Sequence, residues 1–406
     1  MVRLHSTLGD DSMTTRRKFL QTAALAGGTA ALGSAHIYAA EPKKITWRLQ
    51  TYAGPALAEH VIKPSIDAFN KVAEGQMEIQ LYFADQLVPT GELFRAMQKG
   101  TIDAVQSDDD SIAAPVDVAV FGGYFPFATR YSLDVPVLFE QFGLRQIWEE
   151  AYAEVKGVTW LGAGAWDPCH FATVEPINSL ADLKGKRVFT FPTAGKFLAR
   201  FGVIPVTLPW EDVEVAIQTG ELDGIAWSGI TEDYTVGWAN VTKYFLTNNI
   251  SGAWIGSYFA NSEKWAEVPD KLKDLFRLCM DSSHYYRQHW YWGGEAKLRV
   301  EGDKLKLTTI PAAEWQTVED EARKFWDEIA KTSPRCAKVV ETFKRYNALM
   351  AEPEKIEAML DSLSLASGID DDNLREMTNV MLTFGNVQGK TFEKANGLAL
   401  DLSVAF

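Results

Sequence analysis

The pattern of apolar and polar positions predicts strands separated by helices in the first part of the chain. Residues 45–52 and 77–83 alternate large apolar and polar side chains, as half-buried strands do. Between them apolar residues recur at helical spacing. A second helical stretch ends at Gly100, before a short strand over residues 101–105. This β-α-β-α-β order favours an α/β sheet.

One short sequence motif occurs twice. Residues 96–104 (AMQKGTIDA) return as residues 216–224 (AIQTGELDG). Each copy has the pattern of a helix end, a glycine that can adopt the left-handed capping conformation, and the start of a strand. The repetition predicts two similar α/β lobes, an arrangement typical of proteins that bind a ligand in a cleft. Chance recurrence of a common helix-to-strand turn is the alternative.

The N-terminal sequence has the order of an export signal. Arg16 and Arg17 lead into Lys18-Phe19-Leu20, an Ala- and Gly-rich apolar stretch follows over residues 22–35, and the next charge is Glu41. The arginine pair predicts a twin-arginine signal peptide over residues 1–40 and a periplasmic destination. An uncleaved membrane anchor is the weaker alternative, because a span needs about 20 strongly apolar residues.

Composition narrows the class of protein. The 406 residues are 47% hydrophobic and 23% charged, which suits a chain of two globular domains. The formal net charge of −14 disfavours binding to nucleic acid or to anionic lipid. Three widely spaced cysteines (Cys169, Cys279 and Cys336) fit neither a disulfide framework nor a zinc site, so we expect small buried apolar residues there.

The chain lacks the spacings that accompany catalysis. His60, His170, His284 and His289 form no metal-binding pair, and neither a nucleophile elbow nor a phosphate-binding glycine loop is present. We therefore expect no enzymatic activity and no cofactor. Because the twin-arginine route also exports folded cofactor enzymes, an exported redox enzyme stays the alternative from another class.

Three blocks of sequence carry a family resemblance: residues 178–188 with Leu-Lys-Gly-Lys-Arg-Val at their end, residues 86–103 with Gln-Leu-Val-Pro and Gly-Thr-Ile-Asp, and residues 218–223 before Trp227. Together they resemble solute-binding proteins of tripartite ATP-independent periplasmic (TRAP) transporters, nearest to the subgroup that binds 2-oxo acids. The resemblance implies a receptor that closes on a small organic solute and delivers it to membrane permease subunits. It also implies a homodimer through C-terminal helices.

The predicted architecture is an α/β, two-lobed periplasmic binding protein with a long connecting helix and a helical C-terminal region. We expect the first lobe over residues 41–165, completed by parts of residues 252–310, and the second lobe over residues 166–251. The helical region would occupy residues 311–406, where Pro311, Pro334 and Pro353 each suggest the first turn of a helix.

The chain departs from the family pattern at its charged positions. Phe189 stands where the family has the arginine that pairs with a ligand carboxylate, and Ala226 replaces a metal-holding glutamate before Trp227. A further metal-holding glutamate is missing from residues 249–254, so we expect no metal site. Arg187 shares a strand face with Phe189, and a shifted arginine therefore stays an alternative.

Acidic and aromatic residues occupy the expected cleft segments instead. This pattern favours an amine-bearing or cationic solute, such as an amino alcohol or a betaine-like compound, bound by carboxylates and aromatic faces. The alternatives are a solvated acidic loop, aromatics that merely pack in the core, and an organic acid held by Arg187, Lys196 or Arg130. The predicted ligand-binding residues are Asp108, Asp109, Asp110, Trp166, Asp167, Phe189, Trp227, Trp254 and Arg187.

Overall fold

The computed structural model describes residues 44–367, 391–393 and 399–401. The predicted signal peptide over residues 1–40 lies outside them. Among the described residues, no helix combines the length and the hydrophobicity of a membrane span.

Five strands form the first sheet, in the order β2-β1-β3-β10-β4. Their bounds are β1 Ile45–Thr51, β2 Met77–Tyr82, β3 Ala104–Ser107, β4 Val158–Ala165 and β10 Ile255–Asn261. Strand β1 lies between β2 and β3 and is parallel to both, with Leu49 opposite both Leu81 and Ala104. Strand β10 is antiparallel to both of its neighbours. The predicted β-α-β-α-β order is confirmed.

A second sheet of six strands has the order β11-β9-β5-β8-β6-β7. Its strands are β5 Cys169–Thr173, β6 Arg187–Thr190, β7 Ile204–Val206, β8 Gly224–Ala226, β9 Tyr244–Ser251 and β11 Lys306–Thr308. Strands β6 and β8 run parallel, with Phe189 opposite Ile225. The described residues also include a two-stranded ribbon of β12 Thr391–Glu393 and β13 Ala399–Asp401.

Helices cover these sheets. Those before the second sheet are α1 Pro55–Val61, α2 Lys63–Val72, α3 Leu93–Gln98, α4 Asp134–Glu140 and α5 Leu144–Ala153. Then follow α6 Pro192–Leu198, α7 Val213–Gln218, α8 Ile230–Thr235, α9 Ser262–Glu267, α10 Asp270–Glu301, α11 Ala312–Ala330 and α12 Pro334–Ser367. Short 3₁₀ turns occupy Thr90–Glu92, Asp117–Phe121, Leu180–Leu183, Ala199–Phe201, Trp210–Asp212 and Trp238–Asn240.

The two sheets are joined by paired crossovers and one long helix. The chain leaves β4 for β5 through residues 166–168 and returns from β9 to β10 through residues 252–254. The crossovers hydrogen-bond to each other, because the Trp166 amide donates to the Trp254 carbonyl at 3.0 Å and the Trp254 amide to the Asp167 carbonyl at 2.8 Å. Helix α10 packs on α2 at one sheet and on α8 at the other.

The repeated motif lies at equivalent positions of the two sheets. Helix α3 ends at Gln98 and α7 at Gln218, and each is followed by a glycine with positive φ, Gly100 at 74° and Gly220 at 75°. The strands that follow, β3 and β8, begin at the equivalent positions Ala104 and Gly224. The predicted two-lobed α/β fold is thereby confirmed, whereas the residue bounds of the lobes stay a prediction.

Two details of the C-terminal half differ from expectation or extend it. Of residues 252–310, parts of which were expected to complete the first lobe, β10 joins the first sheet and β11 joins the second. Helix α12 continues through Pro353, where we expected a new helix to begin, because one proline removes a single backbone donor and a long helix can bend around it. The three cysteines are buried, as predicted, and they form no bridge.

Candidate ligand-binding cleft

A cavity of about 300 Å³ lies where parallel strands of both sheets end. Strands β1 and β3 contribute Tyr52 and Asp108 just beyond their last residues, and β6 and β8 contribute Phe189 and Trp227. The carboxyl ends of strands are the usual ligand site in α/β sheets. The lining residues are Tyr52, Asp85, Pro89, Thr90, Gly91, Asp108, Ser111, Phe189, Thr190, Pro192, Thr207, Leu208, Pro209, Trp210 and Trp227.

Aromatic rings form much of the wall. The Trp227 indole stacks on Phe189 with a centroid distance of 4.7 Å and on Phe191 at 3.6 Å. Trp210 meets Trp227 edge-on at 5.5 Å and Tyr52 edge-on at 5.9 Å. Phe189 and Trp227, both predicted as ligand-binding residues, thus lie together on the cavity wall. Such ring faces attract cations as well as apolar groups.

Asp108 is the buried acid of this cavity. Its side chain is only 1% exposed, and Oδ1 accepts a hydrogen bond from the Ser111 amide at 2.7 Å. Oδ2 has no hydrogen-bond partner among the described residues. Burial, reinforced by the negative charge of Asp110, raises the pKa of Asp108 to about 8. The described residues that line the cavity include no Lys, Arg or His, so nothing on the wall neutralises an ionised Asp108.

Asp109 has a structural role in place of the predicted ligand contact. It is fully buried and accepts hydrogen bonds from Trp148 Nε1 at 3.2 Å, from the Ser257 hydroxyl at 2.7 Å and from the Tyr152 hydroxyl. Burial raises the pKa of Asp109 to about 6, and these donors oppose the rise. The carboxylate therefore ties the loop after β3 to helix α5 and strand β10.

Asp110 connects the loop after β3 to the second sheet. Its carboxylate accepts hydrogen bonds from the Thr193 amide at 2.7 Å and from the Thr193 hydroxyl at 3.0 Å, in the first turn of α6. Burial raises the pKa of Asp110 to about 6. This contact holds the two sides of the cleft together. The alternative of a solvated acidic loop is wrong, because Asp108 and Asp109 are buried and Asp110 is bonded across the cleft.

Trp166, Asp167 and Trp254 lie one layer behind the wall, in the crossovers. The two indoles meet edge-on at 4.6 Å, and Trp254 packs on Tyr52 at 4.9 Å. Asp167 accepts hydrogen bonds from the Tyr124 hydroxyl at 2.9 Å and from the Gly229 amide at 2.7 Å, and burial raises its pKa to about 7. Trp254 therefore supports Tyr52 from behind, and none of these three residues lines the cavity.

Arg187 is engaged elsewhere. Its Nε and Nη2 both donate to Asp223 at 2.9 Å, and its backbone amide donates to the same carboxylate at 2.8 Å. The first sheet repeats this arrangement, because the Arg48 amide and Nε donate to Asp103 at 2.7 and 3.3 Å. The pair is thus an element of the repeated α/β unit, and a shifted ligand-binding arginine is not supported.

The other cations of the organic-acid alternative also lie away from this cavity. Lys196 is not among its lining residues, and Arg130 lines a different cavity of about 390 Å³ beside helix α10, together with Trp166, Asp167 and Arg299. The described wall therefore offers a carboxylate no cationic side chain.

Sequence reasoning missed Tyr52 and Trp210. The repeat contained a signal for Trp210: extended backwards, it aligns Pro89-Thr90 with Pro209-Trp210, and all four residues line the cavity from opposite sides. Tyr52 follows β1 as Asp108 follows the parallel strand β3. Its place at a strand end was therefore a second available signal.

Two α/β lobes, joined by paired crossovers and enclosing an aromatic cavity with one buried acid, define a two-lobed solute receptor of the periplasmic binding protein type. The family model of bacterial extracellular solute-binding protein family 7 (DctP) matches residues 61–333. The chain belongs to this family, the solute-binding receptors of TRAP transporters, which bind small molecules and work with membrane permease subunits. The predicted family and receptor role are confirmed.

Solved and curated relatives agree on this class. A TRAP periplasmic solute-binding protein of Chromohalobacter salexigens DSM 3043, with bound (S)-(+)-2-amino-1-propanol, is 73% identical, with a TM-score of 0.74 over 76% of this chain and 97% of the relative. A protein of Pseudoalteromonas atlantica T6c with bound sodium and pyruvate shares the fold at 20% identity and a TM-score of 0.67, over 80% of this chain and 99% of the relative. A monocarboxylate 2-oxoacid-binding periplasmic protein of Nostoc sp. is 23% identical over 352 residues, 82% of this chain and 93% of the relative.

Proposed function

We propose that this receptor captures a small primary amine, with an amino alcohol as the best fit, and that Asp108 binds the ammonium group. The observation that carries the proposal is the buried Asp108 carboxyl, with one unpartnered oxygen, on an aromatic wall whose described residues include no cation. The 73% identical Chromohalobacter protein with bound 2-amino-1-propanol supports the same ligand class.

The contacts that this site offers can supply a binding free energy of the order that micromolar affinity requires. A hydrogen bond to a charged group contributes about 1.5–3 kcal/mol, and each aromatic face adds about 0.5–2 kcal/mol to the binding of a cation. The rings of Tyr52, Phe189, Trp210 and Trp227 are all on the wall. Micromolar affinity requires about 8 kcal/mol. One ion pair, two or three ring contacts and a hydrogen bond to the ligand hydroxyl approach this total.

The wider role follows from the family. We propose export by the twin-arginine route, on the strength of Arg16-Arg17 and the apolar stretch after them, and release of the solute to TRAP permease subunits. A homodimer through residues 311–406 is part of the same proposal. The receptor would have no enzymatic activity. An absorbance spectrum of the exported protein with a flavin, haem or copper band would instead support the redox-enzyme alternative.

Calorimetry with matched ligands tests the amine assignment. We expect 2-amino-1-propanol and ethanolamine to bind at micromolar Kd or tighter, because their ammonium groups can pair with Asp108. Propanol, which lacks the amine, and pyruvate, which is an anion, should bind at least about 100-fold more weakly, since each loses the charge-assisted contact. Tight binding of pyruvate or another carboxylate alone would contradict the proposal.

Ligand binding should release a proton. In the empty site Asp108 holds its proton up to a pH near its raised pKa of about 8, whereas a bound ammonium favours the ionised form. An alkyl ammonium, with a pKa of about 10 as in lysine, stays charged throughout. We therefore expect the affinity to rise about tenfold per pH unit from pH 6 to 8 and then to level off. Calorimetry in buffers of different ionisation enthalpy would count the proton.

The stability of the ligand-free protein should fall as pH rises, whereas the ligand affinity rises. The unfolded chain releases the Asp108 proton near pH 4, whereas the folded protein retains it up to its raised pKa of about 8. The folded state therefore binds more protons between these values, and the contribution of this group to stability is lost as pH rises. Proton uptake on ligand binding, or an affinity that falls with pH over this range, would contradict the role of Asp108.

A further inference from the structure

A small cavity of about 70 Å³ lies between the edge of the first sheet and the long helix α10, apart from the ligand cleft. Residues 161–164 of β4 form one side, and Tyr258 of β10 lies next to them. Helix α10 contributes Phe276, Arg277, Met280, Asp281, His284 and Arg287, and Arg145 completes the wall. The volume is enough for a halide ion and a water molecule.

Arg287 brings a buried positive charge to this cavity. The residue is 1% exposed, and its guanidinium lies 3.8 Å from the ring centroid of Trp166. Nε donates to the Ala165 carbonyl at 2.9 Å, and Nη1 donates to the Ser283 hydroxyl at 2.6 Å. Nη2 has no hydrogen-bond partner among the described residues, and no carboxylate in that part of the chain lies within ion-pair distance of Arg287.

Tyr258 supplies a second buried donor on the same wall. The residue is 3% exposed, and its hydroxyl makes no hydrogen bond of normal geometry within the described residues. The hydroxyl lies beside both the Arg287 guanidinium and the Ser65 side chain, close enough to interact with each of them. The Arg287 Nη2 and the Tyr258 hydroxyl therefore face one cavity, and neither has a hydrogen-bond partner of normal geometry within the described residues. A buried donor without a partner costs about 1–3 kcal/mol, and a buried charge without a partner costs more.

The remaining ionisable groups on the wall do not neutralise Arg287. Arg145 pairs with Glu140, and Arg277 pairs with Asp274. Burial, together with the charge of Arg287, lowers the pKa of His284 to about 3, so this imidazole is neutral. Asp281 is the one acid among the described lining residues, and it is exposed. The deep part of the cavity is thus electropositive.

We propose that this cavity binds a small monovalent anion of the size of chloride, held by Arg287 Nη2 and the Tyr258 hydroxyl. An anion satisfies both orphaned donors and compensates the buried charge, whereas a water molecule satisfies the donors and leaves the charge. The bound anion also fixes the guanidinium against Trp166, whose indole packs on Trp254 in the neighbouring crossover. The anion is therefore a structural component of the region that joins the two lobes.

Thermal unfolding in sodium chloride and in sodium gluconate, at matched ionic strength, tests the proposal. The Tm should rise with chloride and reach a plateau, bromide should replace chloride, and gluconate, which is too large for the cavity, should have no such effect. Equal Tm values in chloride and gluconate would overturn the proposal, because screening alone depends only on ionic strength.

Tyr258→Phe supplies the site-specific arm, since it removes one hydroxyl and keeps the buried ring. We expect the chloride concentration at half-maximal stabilisation to rise about tenfold. Tyr346→Phe is the matched control, because that buried hydroxyl donates to Asp134, away from the cavity. It should lower the Tm but keep the chloride dependence. The same chloride dependence in both variants would overturn the assignment.

Crystals of the full protein grown in bromide give an independent readout. An anomalous difference peak within hydrogen-bond distance of Arg287 Nη2 and Tyr258 is expected. A cavity that holds only water, or a bromide peak in a protein whose Tm ignores chloride, would contradict the proposal. Neither result bears on the amine site at Asp108, so the two proposals stand or fall separately.

Discussion

Asp108→Asn should weaken binding of 2-amino-1-propanol at least about 100-fold. The substitution keeps the shape of the side chain and an oxygen that can accept from the Ser111 amide, but it removes the negative charge on the wall of the cavity. Loss of one partner of a buried charge pair costs about 2–5 kcal/mol of binding free energy. Calorimetric titration at pH 8, where the carboxyl of the wild-type protein ionises readily on binding, measures the change directly.

Asp85→Asn is the matched control. Asp85 also lines the cavity, but it is exposed and its carboxylate accepts hydrogen bonds from the Thr90 amide at 2.7 Å and hydroxyl at 3.1 Å. Its φ of 57° suits asparagine as well as aspartate. We expect a change in Kd of less than about threefold, because exposed charges are screened. Equal losses in the two variants would show that general charge, and not Asp108, determines affinity.

The proton balance separates the role of Asp108 from a merely structural one. If Asp108 is the group that ionises, Asp108→Asn should abolish both proton release and the rise of affinity with pH. Its ligand-free Tm should also lose the decline toward pH 8 that this acid contributes. A variant that binds weakly but still releases a proton would assign the titration to another buried acid, such as Asp167.

The fold could be predicted from the sequence because its signals are periodic and repeated. Alternation identified β1 and β2 of the first sheet, and the repeated motif of residues 96–104 and 216–224 identified the equivalent units. The same motif also explains the position of Arg187, because Arg48 and Asp103 form the equivalent pair in the first sheet. If the repeat is taken to include this ion pair, it predicts that Arg187 pairs with Asp223 and lies outside the cleft.

The site could be predicted only in part. Phe189 and Trp227 were named because they align with family positions, and both lie on the cavity wall. Periodicity is lost where β3 ends at Ser107, so the sequence could not show which of the three following acids faces the cavity. The turn directs one to the cavity, one to the core and one to α6. That division depends on contacts with residues far along the chain, such as Thr193 and Ser257.

Asp109→Ala should cause the largest loss of stability of any substitution in this loop, about 3–5 kcal/mol in the free energy of unfolding. Three buried donors, Trp148 Nε1 and the hydroxyls of Tyr152 and Ser257, lose their common acceptor. Each unsatisfied donor costs about 1–3 kcal/mol, and the costs overlap because the freed groups can partly pair with one another. Urea unfolding monitored by tryptophan fluorescence measures the loss.

The neighbouring acid, Asp108, provides the control for this prediction. Asp108→Ala removes an equally buried carboxyl that has one backbone partner, the Ser111 amide, and one free oxygen, so about 1 kcal/mol or less of stability should be lost. Ligand affinity should reverse the order: the folded fraction of Asp109→Ala should bind the amine almost normally, whereas Asp108→Ala should not. Similar stability losses in both variants would mean that the three donors around Asp109 find other partners. Two adjacent, buried and chemically identical side chains thus serve separate ends, one the stability of the lobe and the other the recognition of the solute.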